Sequence, residues 1–287
     1  MSETIRTKIF LDSGDPKETA DILGHFGTLD GQTTNPSLFA KNPQVQARLA
    51  TGKKYDATEV LVAYKQVVSE ISRLLPQGSV SVEVYADAQT PAEQILNQAR
   101  EMNTWIPNAH IKIPVTRFGL EAAEILIKEG IRLNLTLVFS QEQAAAVYAA
   151  TRGAKPGQVF LSPFIGRLDD IGLDGMSLIA NILRLYSSGD GHVQVLAASV
   201  RTYEHFLQTL KLNCDLVTVP GKILLTWLEQ GKNMPSADWV YSPAGFKVIP
   251  WEEITLTKSW PEYNFNHELT DKGLEKFAAD WNNLVKV

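Results

Sequence analysis

The sequence predicts a single (β/α)8 barrel, or TIM barrel, with a C-terminal helical extension. Eight short runs rich in β-branched residues alternate with longer segments of helical periodicity, which is the pattern of βα units in a parallel sheet. The predicted strands are residues 8–13, 31–37, 80–86, 110–115, 132–139, 158–166, 193–199 and 216–222. Eight strands also fit a doubly wound open sheet, but no Gly-rich phosphate fingerprint follows any run, and this favours the barrel.

Helical segments lie between these runs. They are residues 59–75, 90–102, 118–129, 141–151, 177–186 and 203–210. Residues 39–58 are polar, and an inserted loop or a short helix is expected there. After Gln230 the alternation gives way to a segment rich in Pro and aromatic residues, and then to an amphipathic helix over residues 270–287. This tail is too short for a domain, so we interpret residues 1–287 as one domain with residues 235–287 as a cap over one mouth of the barrel.

Composition and charge exclude several classes of function. Of the 287 residues, 44% are hydrophobic and 21% charged, as is ordinary for a globular protein. The 27 basic and 32 acidic residues give a net charge of −5, which argues against nucleic-acid binding. The single cysteine, Cys214, excludes an intrachain disulfide and a cysteine-based metal cage. Because neither a signal segment nor a stretch of about 18 apolar residues is present, we expect a cytoplasmic protein without membrane contact.

In each predicted strand one face is aliphatic and the other is polar, because side chains alternate across a strand. In the fourth strand, Ile111 and Ile113 lie on one face, and His110 and Lys112 on the other. A parallel sheet with helices on both sides would be apolar on both faces. The polar residues lie toward the carboxyl ends of their strands: Asp12, Asn35, Glu83, Lys112, Asn134, Thr136 and Ser162. A barrel lumen lined in this way at its carboxyl-terminal mouth is the usual location of an active site.

Lys112 is the centre of the functional hypothesis. A lysine buried among apolar groups loses its proton more readily than one in water, and the free amine is a nucleophile that forms Schiff bases. Asp12 and Glu83 are candidates for proton transfer. A salt bridge to Asp12 or Glu83 is the alternative for Lys112, and for a lysine considered alone it would be preferred. Chance burial of unrelated polar groups is the alternative for the whole set, but seven such positions would cost much desolvation free energy.

Neutral and cationic side chains at the same mouth suit a sugar phosphate. Asn35, Asn134 and Thr136 supply donors and acceptors for sugar hydroxyls. Arg167 follows the sixth strand, and Ser199 and Arg201 end the seventh, where the loops of many barrels bind phosphate. Arginine pairs bidentately with phosphate oxygens, and serine adds a short donor. Surface pairing with Asp169 or Asp170 is the alternative for the arginines, expected more for Arg167 than for Arg201.

Four segments resemble the signature blocks of transaldolases and occur in that family's order. They are TTNPSL (33–38), IKIPVT (111–116), SPFIGRLDD (162–170) and AASVR (197–201). The similarity spans roughly residues 8–224, and the four blocks together are highly specific. It implies transfer of a dihydroxyacetone unit from sedoheptulose 7-phosphate, or fructose 6-phosphate, to an aldose phosphate in the pentose phosphate pathway. It also implies that no metal or organic cofactor is needed and that the partners are small-molecule sugar phosphates.

The resemblance implies a role for each site residue. Lys112 would form the Schiff base with the ketose carbonyl, and Asp12 would take the proton of the C4 hydroxyl as the C3–C4 bond breaks. Glu83 and Thr136 would hold the water that carries protons during Schiff-base formation and release. The remaining residues would bind substrate: Asn35 and Asn134 the hydroxyls of the dihydroxyacetone unit, Ser162 the same pocket, and Arg167, Ser199 and Arg201 the phosphate.

Two positions separate transaldolases from the related fructose-6-phosphate aldolases, which carry a tyrosine at the position of Phe164 and a glutamine at that of Glu83. Both positions therefore indicate a transferase. The part after Gln230 departs from familiar members, and the length lies between their short and long forms, so a homo-oligomer is left open. The remaining alternatives are an aldolase, a transaldolase for a sulfonated sugar, and a non-catalytic sugar-phosphate sensor. The combination of Lys112, Asp12 and Glu83 argues against the sensor, because binding alone needs no buried amine that can form a Schiff base.

Overall fold

The computed structural model describes residues 5–243 and 245–286, and it confirms the (β/α)8 barrel with a C-terminal helix. Within these residues, eight parallel strands pair in sequence order, and the last pairs with the first to close the barrel. The barrel strands are β1 Lys8–Asp12, β2 Gly31–Thr33, β3 Ser79–Glu83, β4 Ala109–Pro114, β5 Leu133–Val138, β6 Val159–Pro163, β7 Val193–Ala197 and β8 Leu216–Val219, and the short strands Leu173–Asp174 and Lys247–Val248 form a separate parallel pair. Each overlaps its predicted run. β2 and β6 end early because Asn35 and Phe164 are the N-cap residues of helices.

Among the described residues, eight of the α-helices alternate with the barrel strands and form the outer ring, and four more are additional to it. The helices are α1 Pro16–Phe26, α2 Pro36–Ala40, α3 Pro43–Ala50, α4 Ala57–Leu74, α5 Ala92–Asn103, α6 Arg117–Lys128, α7 Gln141–Ala150, α8 Ile165–Asp169, α9 Gly175–Tyr186, α10 Tyr203–Lys211, α11 Gly221–Glu229 and α12 Glu268–Asn282, with a 3-10 helix at Trp260–Glu262. The short helix allowed for in residues 39–58 is α3. The predicted last helix corresponds to α12, and Val287 lies outside the described residues. No helix in this part of the chain is long and apolar enough to cross a membrane.

Aromatic side chains fill the amino-terminal half of the lumen. The rings of Phe10 and Phe160 meet edge to face at 5.9 Å, and His110 stacks on Phe160 at 4.0 Å. These three residues come two positions before Asp12, Ser162 and Lys112 on their strands, so the polar side chains lie one layer closer to the carboxyl-terminal mouth. The packed aromatic layer closes the lumen below them.

Helix α12 packs at the carboxyl-terminal mouth of the barrel, against α2 and β5. Leu137 of β5 has a φ of 61°, and the register between β5 and β6 shifts at this point. The irregular backbone presents the carbonyl of Leu137 to α12, where the Thr270 hydroxyl donates to it at 2.8 Å. The side chain of Gln143 in turn donates to the Thr270 hydroxyl at 2.8 Å. The beginning of α12 is thereby fixed on the end of β5.

Candidate active site

A cavity of about 300 Å³ opens at the carboxyl-terminal mouth of the barrel. The ends of the strands form one wall, and α2 and α12 form the other. Seven of the predicted site residues line it: Asp12, Asn35, Lys112, Ser162, Phe164, Arg167 and Ser199. The other four do not line it: Glu83, Asn134 and Thr136 are fully buried nearby in the barrel, and Arg201 lies outside the cavity.

Lys112 forms a buried ion pair with Glu83. The register of β3 and β4 places the two residues side by side, and Nζ of Lys112 lies 3.0 Å from Oε2 of Glu83. The Lys112 amine also donates to the carbonyl of Thr34 at 3.4 Å. Burial raises the pKa of Glu83, although the charges of Lys112 and Arg167 act in the opposite direction. The salt-bridge alternative is therefore the arrangement observed, and it supplies a carboxylate that can take the proton of the amine.

Asp12 is the second carboxylate of the cavity. The Thr33 hydroxyl donates to Oδ1 of Asp12 at 2.7 Å and lies 2.6 Å from the hydroxyl of Thr218 on the last strand. Burial raises the pKa of Asp12, with Lys112 as the largest opposing influence. A carboxylate with a raised pKa that faces a cavity can accept a proton from a bound hydroxyl.

A chain of hydrogen bonds from α4 holds the backbone around Lys112. The amide of Glu83 donates to the hydroxyl of Tyr64 at 3.0 Å, and that hydroxyl lies 2.6 Å from the hydroxyl of Thr34. The Thr34 hydroxyl donates to the carbonyl of Ser81 at 2.8 Å. Tyr64 therefore links the strand that carries Glu83 to the carbonyl that contacts Lys112. No pattern in the sequence indicated this role, because Tyr64 occupies an ordinary apolar position of a helix.

Asn134 and Ser162 form the floor beneath the cavity. Nδ2 of Asn134 donates to the Ser81 hydroxyl at 3.0 Å, and the Ser162 hydroxyl donates to Oδ1 of Asn134 at 2.7 Å. The hydroxyl of Thr136 is buried and has no hydrogen-bond partner among residues 5–243 and 245–286. An unsatisfied buried hydroxyl is costly, so this atom suits a bound polar group.

Asn35 lines the cavity and also caps a helix. Its Oδ1 accepts the amide of Leu38 at 2.8 Å and so caps the amino end of α2. Because the oxygen is used in this way, the side-chain nitrogen is the group that remains for a ligand.

Arg167 extends into the cavity between two aromatic rings. Its Cζ lies 5.3 Å from the ring centroid of Phe164 and 5.3 Å from that of Phe277 on α12. Burial lowers the pKa of Arg167 from its ordinary value. The guanidinium forms no salt bridge and no side-chain hydrogen bond with any other described residue. A partly buried cation without a paired carboxylate is suited to bind an anion. Ser199, at a left-handed φ of 58°, lines the same part of the cavity.

Arg201 corrects one expectation. Both of its terminal nitrogens contact the carboxylate of Asp170, with Nη2 at 2.7 Å from Oδ2, and the two side chains are 44% and 54% exposed. The bond to Arg201 holds the pKa of Asp170 below its ordinary value. The surface pairing that was expected more for Arg167 is thus formed by Arg201 instead. The side chain of Arg201 crosses Gly166, where a Cβ would lie only 2.4 Å from its Nε, and this route leads it toward Asp170.

The cavity also contains residues that the sequence analysis missed. They come from α2 and α12 and include Ser37, Lys41, Lys276, Phe277 and Asp280. The carboxylate of Asp280 accepts the hydroxyl of Ser37 and pairs with Nζ of Lys276 at 2.5 Å, so it connects the two helices. The sequence analysis expected residues 235–287 to cap one mouth of the barrel, but the amphipathic pattern of the last helix did not indicate which of its residues would line the cavity.

A closed parallel barrel with a polar cavity at its carboxyl-terminal mouth is the architecture of the (β/α)8-barrel enzymes. The family described as Transaldolase/Fructose-6-phosphate aldolase matches residues 9–287. A probable transaldolase of Dehalococcoides mccartyi is 37% identical over 279 residues, which is 97% of this chain and 100% of the relative. Probable transaldolases of Cereibacter sphaeroides and Methanococcus maripaludis are 36% and 33% identical, cover 96% of this chain, and are covered over 95% and 97% of their own lengths.

The chain therefore belongs to the transaldolase/fructose-6-phosphate aldolase family, and the expectation of an enzyme of the transaldolase type is confirmed. Among solved structures, a homocysteine methyltransferase from Escherichia coli aligns with a TM-score of 0.45 and 9% identity, over 78% of this chain and 96% of that one. A similarity this weak carries no argument.

Proposed function

We propose that this enzyme transfers a dihydroxyacetone unit from a ketose phosphate to an aldose phosphate through a Schiff base on Lys112. Sedoheptulose 7-phosphate or fructose 6-phosphate is the proposed donor, and glyceraldehyde 3-phosphate or erythrose 4-phosphate the acceptor, in the pentose phosphate pathway of the cytoplasm. The single observation that carries this proposal is a buried amine that faces a cavity and lies within hydrogen-bond distance of a carboxylate of raised pKa.

The chemistry begins with the Lys112 amine. Glu83 takes its proton, and the free amine attacks the C2 carbonyl of the ketose, with loss of water as the Schiff base forms. Asp12 accepts the proton of the C4 hydroxyl while the C3–C4 bond breaks and its electrons move into the protonated Schiff base. The leaving aldehyde departs and an enamine stays on Lys112. An acceptor aldehyde then adds to the enamine, and the same steps run in reverse.

The other residues of the site hold substrate and water in this proposal. Thr136, whose buried hydroxyl is unsatisfied, would hold with Glu83 the water used in Schiff-base formation and release. Asn35, Asn134 and Ser162 would orient the hydroxyls of the three-carbon unit, Asn134 through its bond with Ser162.

The phosphate would be bound by Arg167 with Ser199, which both line the cavity. Arg201 would join them by exchanging the carboxylate of Asp170 for the phosphate. This exchange is inexpensive because an exposed ion pair contributes at most about 1 kcal/mol.

A hydrolytic fructose-6-phosphate aldolase is the second candidate function. Such an aldolase would have a hydroxyl close to the Schiff base. The ring of Phe164, whose centroid lies 5.7 Å from Nζ of Lys112, has no hydroxyl. A sulfonated sugar would satisfy the same cationic groups as a phosphorylated one. A sugar-phosphate sensor is the least favoured alternative, because it would have no use for the pairing of Lys112 with Glu83.

Borohydride trapping tests the proposal. Wild type incubated with fructose 6-phosphate and borohydride should gain one reduced three-carbon adduct by intact-protein mass, and Lys112→Ala should gain none. Lys53→Ala, at an exposed lysine, is the matched control and should be trapped like wild type. Circular dichroism should show the same fold for all three. Trapping of Lys112→Ala at wild-type stoichiometry would contradict the assignment of Lys112. A second assay, comparing free dihydroxyacetone released with transfer to glyceraldehyde 3-phosphate, separates the aldolase from the transferase.

A further inference from the structure

One side of helix α12 forms part of the cavity wall. Its anchor is Thr270, which is fixed on the carbonyl of Leu137. Gly273 and Phe277 follow three and seven positions later, and residues at these spacings share one side of a helix. Both are buried. The anchored helix therefore directs Gly273 and Phe277 toward the end of the barrel where Arg167 lies.

Gly273 allows the guanidinium of Arg167 to lie directly against the helix. A Cβ at position 273 would lie 2.4 Å from Nη1 of Arg167 and 2.7 Å from Cδ2 of Leu137. No side chain tolerates such contacts without movement of its neighbours. Glycine in the interior of a helix is destabilising relative to alanine. The close approach of Arg167 is the physical reason for a glycine at this position of α12.

Phe277 completes the enclosure of the guanidinium. Arg167 lies at the same 5.3 Å from the ring centroids of Phe277 and Phe164. Nζ of Lys112 lies 5.9 Å from the ring of Phe277 and 5.7 Å from that of Phe164. Aromatic faces attract a cation without neutralising it. The two rings therefore hold a positive charge in place and leave its donors available, whereas Asp170 occupies those of Arg201.

We propose that Gly273 and Phe277 are positioning residues that hold the Arg167 guanidinium in the cavity. Helix α12 thereby sets the preference of the site for sugars that carry an anionic group over neutral ones. This inference rests on the proposed function in one respect, the use of Arg167 to bind the substrate phosphate.

The main test is Gly273→Ala, with Gly24→Ala of α1 as the matched control because a Cβ there meets no heavy atom within 4 Å. The concentration of fructose 6-phosphate that gives half-maximal trapping should rise at least about tenfold in Gly273→Ala, the effect of 1.4 kcal/mol. The value for dihydroxyacetone, which has no phosphate, should stay at wild type. Phe277→Leu should also raise the value for fructose 6-phosphate. Equal losses for both sugars, or none for fructose 6-phosphate, would overturn the proposal.

A second measurement separates this inference from the proposed function. Calorimetric binding of inorganic phosphate needs no Schiff base, and Gly273→Ala should weaken it as strongly as Arg167→Ala does. Unchanged phosphate binding would overturn the inference even where trapping succeeds, and weakened binding would support it even where trapping fails. In the Arg167→Ala background, Gly273→Ala should cause no further loss, because the side chain it displaces is gone. A further loss of equal size would show that Gly273 acts through another group.

Discussion

Nζ of Lys112 and Oε2 of Glu83 lie 3.0 Å apart, and the two side chains are only 3% and 1% exposed. Removing both ionised groups from water is costly, and their mutual attraction compensates for it only in part. Burial raises the pKa of Glu83, so the carboxyl beside the amine accepts a proton more readily than an ordinary glutamate does. The pairing of Lys112 with Glu83 is therefore the geometry that the proposed proton transfer needs.

The first prediction concerns Glu83→Gln. The amide has nearly the same size but cannot take the proton of Lys112, which must then pass to solvent. We expect single-turnover trapping with fructose 6-phosphate at pH 7 to slow by about a hundredfold, the ordinary contribution of a general base. The rate should rise with pH in the variant more steeply than in wild type, because hydroxide replaces the missing carboxylate. Glu59→Gln, at a partly exposed ion pair, is the control. An unchanged rate and pH profile would remove Glu83 from proton transfer.

The second prediction compares the two arginines. Arg167→Ala should raise the KM for fructose 6-phosphate by roughly ten- to two-hundred-fold, because a charge-assisted bond in a partly desolvated site contributes about 1.5–3 kcal/mol. Arg201→Ala should raise it less, since wild type must first break the pair with Asp170. Neither should alter trapping of dihydroxyacetone. Asp170→Asn frees Arg201 and should lower the KM by no more than about fivefold. A larger loss for Arg201→Ala than for Arg167→Ala would reverse the assignment.

The alternation of aliphatic and polar side chains within single strands was sufficient to predict the barrel and the inward direction of Lys112. Both are local consequences of a two-residue period that places Ile111 and Ile113 against the helices. The pairing of Lys112 with Glu83 needs the register of two strands, which closure of the barrel sets. The partner of Arg201 depends on a choice between exposed side chains that differ little in free energy. The position of Phe277 depends on where a distant helix docks, and its amphipathic pattern shows only that one face is buried.

The third prediction concerns stability in acid. His110 is buried beneath the site, where its Nε2 donates to the carbonyl of Gly157 at 3.1 Å and its Nδ1 lies 2.6 Å from the Ser79 hydroxyl. Burial lowers the pKa of His110 to about 3. Below pH 6.5 the imidazole of His110 binds a proton in the unfolded chain but not in the folded one. The free energy of unfolding therefore decreases as the pH falls from 6.5 toward 3. The loss should reach about 2 kcal/mol at pH 5.

His110→Gln isolates this contribution, because glutamine keeps a donor and an acceptor but does not titrate. Urea unfolding at pH 7 and pH 5 should show a smaller loss of stability on acidification in the variant. Asp12 and Glu83, whose pKa values burial raises, act with the opposite sign, since the folded state binds their protons more readily. Their contribution is present in both proteins and cancels in the difference. Equal losses in the two proteins would show that His110 does not cause the acid sensitivity.

The last prediction concerns Phe164, whose ring centroid lies 5.7 Å from Nζ of Lys112. A phenyl ring orients no water, so the enamine should persist until an acceptor aldehyde arrives. Phe164→Tyr adds one hydroxyl with little change of volume, so the barrel should still pack. We expect the variant to release more free dihydroxyacetone from fructose 6-phosphate and to transfer less to glyceraldehyde 3-phosphate. A change of about 1.4 kcal/mol in the barrier to hydrolysis or to transfer alters this ratio tenfold, which a coupled assay can measure.

The matched control is Phe118→Tyr, at a partly exposed position on α6, which should leave the ratio of release to transfer at the wild-type value. Trapping with borohydride should succeed in both variants, because neither change removes the amine of Lys112. An unchanged ratio in Phe164→Tyr would mean that water reaches the intermediate by a route that this ring does not control. If wild type already releases dihydroxyacetone as fast as it transfers it, the chain is a hydrolytic aldolase, and the phenyl ring is not what decides the fate of the enamine.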